Sequence, residues 1–177
     1  KDKNGLKELF KKNNISYKFL KNINNPDFIK KLKSKNPDLI LFSVFDQIAN
    51  SQVISLPTFG TFNVHLGPLP SYKGGFSSFW VLRNSEKFTG ASIHCVTSKI
   101  DEGDLIEEVI FEIDTKSMYE LMKKNVNLIA KQLPKTIKNI FDNKVQKIDI
   151  SMRENYYYYY PSKDDFKEFY KNKCRLI

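Results

Sequence analysis

Leu39-Ile40-Leu41-Phe42-Ser43-Val44-Phe45 decides the fold. Its only polar member is Ser43, so it lacks the apolar-polar alternation of a strand with one wet face. A short, near-continuous apolar run of this kind reads as a strand buried on both faces, as in a parallel sheet covered by helices. On its N-terminal side, Asn25-Pro26 supplies a cap and a proline at the first helical position. A helix is therefore predicted to run to about Lys35, with Phe28, Ile29 and Leu32 on its apolar face, and Pro37-Asp38 ends it. Residues 3–13 read as an earlier helix, with Leu6, Leu9 and Phe10 on one side, and Ile15–Leu20 is a short β-prone run. After the decisive stretch, a short helix over Ala49–Ser55 leads to a strand over Thr58–Val64. This alternation of helix and strand predicts an α/β domain with right-handed crossovers and a mostly parallel sheet.

Farther on, Pro68–Gly75 is a loop rich in Pro, Tyr and Gly. Phe76–Asn84 should be helical. Gly90–Thr97 and Leu105–Ile113 read as two strands joined by a polar turn. Ser117 and Glu120 form a capping-box pattern. The helix it opens is the longest, with Met118, Leu121, Met122, Val126, Ile129, Leu133, Ile137, Ile140 and Phe141 at helical spacing. Pro134 should kink or divide it, and Val145–Ile150 reads as an edge strand. We expect residues 1–150 to form the principal domain and residues 151–177 a tail with a short helix starting at Ser162. The run Tyr156–Tyr160 has three readings: a β-edge packed on the core, a stacking platform for a base or sugar, and an oligomer contact such as a homodimer would use.

The composition is that of a globular chain, with 41% hydrophobic and 28% charged residues. No apolar run reaches the roughly 18 residues that a membrane-spanning helix needs. Lys1–Phe10 is amphipathic and does not read as a leader peptide. A cytoplasmic protein with no membrane partner is expected. The net charge of +9 favours anionic partners. The lysines are scattered, however, and Arg is limited to Arg83, Arg153 and Arg175, which argues against nucleic acid. Cys95 and Cys174 form no CxxC pair, and with two His the chain offers no zinc site of standard spacing, so no metal is expected.

The chemistry concentrates in two segments. Asn63-Val64-His65 ends a predicted strand, where side chains at i and i+2 share a face. Ligands of open α/β sheets bind at the carboxyl ends of such strands. The second segment is His94-Cys95-Val96-Thr97-Ser98-Lys99-Ile100-Asp101-Glu102-Gly103-Asp104, which places an acid in a turn between two strands. Either piece alone is weak evidence, since a lone His is more often structural and Asp-x-Gly is usually a turn.

Taken in order, Asn63-Val64-His65, the loop Leu69-Pro70-Ser71-Tyr72-Lys73-Gly74, Thr89-Gly90-Ala91-Ser92-Ile93-His94 and Ile100-Asp101-Glu102-Gly103-Asp104 resemble the formyltransferase family. That family includes glycinamide ribonucleotide transformylase, methionyl-tRNA formyltransferase and sugar-nucleotide N-formyltransferases. The resemblance is good over residues 37–115 and looser on the flanks. It implies a Rossmann-like three-layer fold in which the opening strand, loop and helix of the family are missing, so that the domain is incomplete at its N-terminus. It also implies catalytic roles for Asn63, His65 and Asp101 in moving a formyl group from 10-formyltetrahydrofolate to an amine. An amide N–H stabilises the tetrahedral oxyanion, an imidazolium assists and shuttles protons, and a carboxylate orients that ring and accepts the proton of the amine. By the same resemblance the folate lies against Gln47, Ile48, Ala49, Val96, Thr97 and Lys99, while Lys73, Gly74 and His94 fall on the acceptor side. The expected acceptor is an amino sugar, nucleotide-linked. The purine-pathway amine and a folate-binding remnant without catalysis are the alternatives.

Overall fold

The computed structural model describes residues 3–177; the first two residues of the expected 1–150 domain lie outside the described residues. Two helices come first, α1 (Lys3–Lys12) and α2 (Pro26–Lys33), followed by β1 (Ile40–Ser43), α3 (Ser51–Ile54) and β2 (Thr61–His65). A two-residue strand β3 (Lys73–Gly74) precedes α4 (Ser77–Arg83), β4 (Phe88–Cys95) and β5 (Leu105–Glu112). The long α5 (Met118–Phe141), the short β6 (Tyr157–Tyr158) and α6 (Lys163–Lys171) complete the order.

The principal sheet has the order β1-β2-β4-β5. The α/β, Rossmann-like expectation stands, but the mostly parallel sheet does not. β1 and β2 are parallel, whereas β2–β4 and β4–β5 are antiparallel, so the sheet is mixed. The reason lies in the connections: β4 and β5 are joined by the turn through Asp101, too short for the crossover that a parallel pair requires.

The pleat of this sheet separates core from site. Phe62, Val64, Ala91 and Ile93 point to one face and pack beneath Ile129 and Ile140 of α5. Their neighbours in sequence, Asn63, His65, Ser92 and His94, therefore point to the other face. Phe42, opposite Asn63 in the β1–β2 register, shares that second face and packs with Ala49 and Val53.

A second core holds the tail. Phe169 of α6 is fully buried, stacks on Phe79 of α4 at 4.6 Å and packs with Trp80, Leu121 and Cys174. Burial of such side chains contributes about 1.5–3 kcal/mol each. Ser162 and Asp165 form a reciprocal capping box at the start of α6. At α5, by contrast, Ser117 accepts the Glu120 N–H, but the Glu120 carboxylate turns to Thr115 and Arg175 instead of returning to the cap.

Two expectations change, and the alternatives at Pro134 narrow. α5 passes Pro134 as one 24-residue helix and is not divided. Val145–Ile150 forms no strand: it meets β5 through the Ile148 N–H donated to the Leu105 carbonyl at 2.8 Å. Ile15–Leu20 also stays outside the sheet, with Ile15, Tyr17 and Phe19 exposed. A strand needs a neighbour that takes its backbone groups, and among the described residues the sheet ends at β1.

Candidate active site

The register of two strands builds the site. Asn63 on β2 lies directly opposite His94 on β4, and His65 opposite Ser92. A bulge at Ile93/His94 shifts the pairing of β4 with β5, a device that re-aims a side chain. Beyond β4 the chain turns through residues 97–103. There Asp101 adopts φ +52°, a left-handed conformation that Asp tolerates better than most residues. Gly103 closes the turn so tightly that a β-carbon would collide with the Cys95 carbonyl.

Asp101 reaches both histidines. Its Oδ2 is 3.5 Å from His65 Nδ1, and its Oδ1 is 3.3 Å from His94 Nε2. The Gly74 N–H donates to Oδ2 at 2.8 Å. Asn63 Nδ2 lies 3.1 Å from His94 Nε2. All four side chains are buried or partly buried, with His65 8% and His94 2% exposed.

The remaining ring nitrogens fix the proton count. His65 Nε2 is 2.6 Å from the Tyr72 carbonyl, and His94 Nδ1 is 2.9 Å from the Cys95 carbonyl. A carbonyl only accepts, so each of these nitrogens must carry a hydrogen. In a neutral ring the other nitrogen is then a bare lone pair, and in both rings that lone pair faces the Asp101 carboxylate. Attraction within the trio therefore requires one further proton. Burial lowers the His65 pKa, and the nearby Asp101 charge only partly offsets it. Burial pushes Asp101 upward, but once the facing ring nitrogens carry a proton, the His94 hydrogen bond and the His65 charge, together with the Gly74 N–H, hold it below the usual carboxylate range. The result is an ionised acid between two imidazoles with a vacant proton position, which is an arrangement suited to accepting and passing on a proton.

These groups form part of the lining of a cleft of about 760 Å³. Gln47, Ile48, Ala49, Val96, Thr97 and Lys99 all line it, as does Gly74. Ile48 is 64% exposed and so is a cleft residue, not core. The Gln47 side chain accepts the Ile23 N–H at 2.8 Å, which leaves its amide NH2 uncommitted. Lys73 is separate from this lining. It is buried, and its Nζ is bound to Glu102 Oε1 at 2.9 Å. Sequence reasoning gave no site role to Phe76, Ser77, Met118 or Met122, which line the cleft together with Tyr157. Met118 and Met122 sit at helical spacing and read as core. The one available signal was the tyrosine run, which left a ligand role open for Tyr157.

Residues 2–137 match the formyl transferase family, and the chain belongs to that family. Among its relatives, it is 32% identical over 163 residues to the bifunctional polymyxin resistance protein ArnA of Wigglesworthia glossinidia brevipalpis, covering 92% of this chain and 23% of that protein. It is 34% identical over 136 residues to methionyl-tRNA formyltransferase of Clostridioides difficile strain 630, covering 76% of this chain and 44% of the relative. The chain thus spans less than half of these curated relatives. Among solved structures it resembles WlaRD, a sugar 3N-formyl transferase crystallised with dTDP and 5-N-formyl-THF (TM-score 0.66, 24% identity, 86% of this chain and 52% of that one). It also resembles glycinamide ribonucleotide transformylase 1 of Symbiobacterium toebii (TM-score 0.69, 17% identity, 84% and 77%). At these identities the structural likenesses establish the fold alone.

Proposed function

We propose that this chain carries the transfer centre of a folate-dependent N-formyltransferase that uses 10-formyltetrahydrofolate and an amine acceptor, a nucleotide-linked amino sugar. One observation carries the reading: Asn63, His65, His94 and Asp101, brought from two separated segments, converge on one cleft.

The cleft suits a folate. It is mainly apolar with a few polar groups, and its size lies within the roughly 300–1,000 Å³ range of small-molecule sites. The free Gln47 amide and the loop backbone at 46–49 and 96–99 would meet the donor and acceptor edge of a pterin. When bound, the folate supplies an activated formyl carbon. Asn63 donates a side-chain N–H to the oxygen that gathers negative charge. Asp101, held ionised, takes the proton of the attacking amine directly or through water. The facing nitrogens of His65 and His94 hold that proton and return it to the leaving nitrogen. His65→Asn in this reading removes a proton carrier and leaves the sheet intact.

A second acceptor class stands beside the first. Relatives named methionyl-tRNA formyltransferase are 32–34% identical in several cases, so scattered lysines alone do not rule out nucleic acid, and an aminoacyl-tRNA is the second candidate. We also place the activity in the cytoplasm; no helix among the described residues is long and apolar enough to cross a membrane. The test is formyl transfer from 10-formyltetrahydrofolate to amino-sugar nucleotides, methionyl-tRNA and the purine-pathway amine. Turnover with an amino-sugar nucleotide is expected. Folate binding with no transfer to any of the three would leave only a folate-binding remnant.

A further inference from the structure

The cleft continues outward past Asp101 onto a shelf of aromatic rings. β6 pairs in parallel with β3, placing Tyr157 opposite Lys73 and Tyr158 opposite Gly74. Side chains alternate along this strand. Tyr158 turns inward, stacks on Tyr72 at 4.9 Å and lies 4.8 Å from Trp80. Tyr157 turns to the cleft, which it lines together with Phe76. Each of these lining rings continues into a more exposed one: Tyr157 meets Tyr159 edge-on at 4.8 Å, and Phe76 meets Tyr160 edge-on at 4.9 Å. Phe76, Tyr157, Tyr159 and Tyr160 are 47%, 39%, 76% and 74% exposed. Two edge-on aromatic pairs, each with one ring lining the cleft and one ring left in water, are costly to solubility unless something covers them.

The shelf is held in place from below. The Trp80 indole N–H donates to the Tyr159 carbonyl at 3.1 Å, and the Lys73 and Gly75 N–H groups donate to the Tyr156 and Tyr158 carbonyls at 3.1 and 3.3 Å. The rings are thus presented on fixed backbone, and little ordering entropy is lost when a flat group lands on them. The shelf lies close to the acid. The Gly74 N–H that binds Asp101 belongs to the strand adjacent to the tyrosines. The Tyr157 phenol is raised above its ordinary value, first by burial and next by the Asp101 charge.

We infer that Phe76, Tyr157, Tyr159 and Tyr160 form a stacking platform for the nucleobase of the acceptor, holding a nucleotide-linked amine with its amino end toward Asp101. The inference rests on the formyl-transfer reading for the position of the amine, but the base site stands on the rings themselves. Stacking accepts any base, because every base offers a π-face. Uridine and adenosine 5′-diphosphates should therefore both bind.

The experiment is a calorimetric titration of the chain with uridine 5′-diphosphate, adenosine 5′-diphosphate and pyrophosphate, with 5-formyltetrahydrofolate titrated separately. The two nucleotides should bind at least about tenfold tighter than pyrophosphate. The Tyr159→Ala/Tyr160→Ala double variant changes exposed rings only, so the fold is preserved. It should lose about tenfold or more of the nucleotide affinity and keep its folate affinity, while Tyr159→Phe/Tyr160→Phe should stay within about twofold of the parent. Three results would overturn the platform: equal binding of pyrophosphate, full affinity in the double alanine variant, or a self-associated parent that the double alanine variant dissociates. Loss of folate binding in the parent chain would remove the formyl-transfer reading instead and leave the nucleotide titration to stand separately.

Discussion

The two walls of the cleft are built on opposite rules. On the inner wall, His65, His94 and Asp101 are buried, and each is tied to a named backbone group: the Tyr72 carbonyl, the Cys95 carbonyl and the Gly74 N–H. On the outer wall, Val44, Ile48 and the tyrosine shelf are exposed, with apolar surface facing water. Buried polar groups must be paired, because an unsatisfied one costs about 1–3 kcal/mol, so the inner wall has a single arrangement. Exposed apolar groups carry no such obligation and are free to suit a ligand. Precision of chemistry and breadth of recognition are thus separated in space, and substitutions on the two walls should fail in different ways.

The largest effect belongs to the inner wall. Asp101→Asn keeps the shape of the acid but removes the charge that two imidazoles share, and formyl transfer should fall by at least about a hundredfold. The melting temperature should fall only modestly, by the stabilisation the ionised acid supplies, because the Gly74 N–H still meets an amide oxygen. Near-normal turnover in this variant would remove the acid from the proposed chemistry.

Next comes the joint between the walls. Gly74 has φ +90°, and a β-carbon there would collide with the Tyr158 carbonyl. Gly74→Ala should cost about 1–3 kcal/mol of stability and also lower the rate, because the N–H that holds Asp101 moves with it. Gly75, where an added β-carbon meets nothing within 4 Å, is the control and should tolerate Ala within about 0.5 kcal/mol. Equal effects at the two glycines would mean that β3 does not couple tail to site.

A third test uses pH. The folded-state pKa values of His65 and Asp101 both lie below their ordinary values of 6.5 and 3.8. The folded state then binds fewer protons than the unfolded chain over each window. Their stabilisation is fully present above about pH 6.5 and is lost on acidification, first through the histidine window and then through that of the acid. The melting temperature should therefore fall as pH drops from about 7.5 to 5, and His65→Asn should flatten that upper part of the slope. A profile unchanged by His65→Asn would show that the buried imidazole does not set it.

The smallest effect belongs to the outer wall. Ile48→Ser should raise the KM for the folate several-fold, through lost apolar contact, and leave the melting temperature unchanged. Destabilisation would mean that Ile48 belongs to the core after all.

Most of the chain's architecture was legible because its signals are local. The run Leu39–Phe45 gave β1, Asn25-Pro26 gave α2, and the Asn63/His65 spacing gave one shared face. What escaped depends on partners distant in sequence. Strand direction follows from the crossovers present, so β4 and β5 could be antiparallel in a sheet that an apolar run had suggested was parallel. Ile15–Leu20 has strand composition but no neighbour. The central position of His94 came from cross-strand register with Asn63 and a bulge, neither of which is written in spacing. Lys73 was assigned to the acceptor side by resemblance alone, and its engagement with Glu102 is likewise a contact distant in sequence.

The family match ends at residue 137, but the fold is not severable there. Phe169 fills the space beside Phe79, and Tyr157–Tyr158 complete the ribbon from which Gly74 grips the acid. Anyone trimming the gene at the family boundary would discard a clamp along with the tail. The shortened domain would expose the α4 aromatics to solvent and leave its carboxylate on a slack hinge.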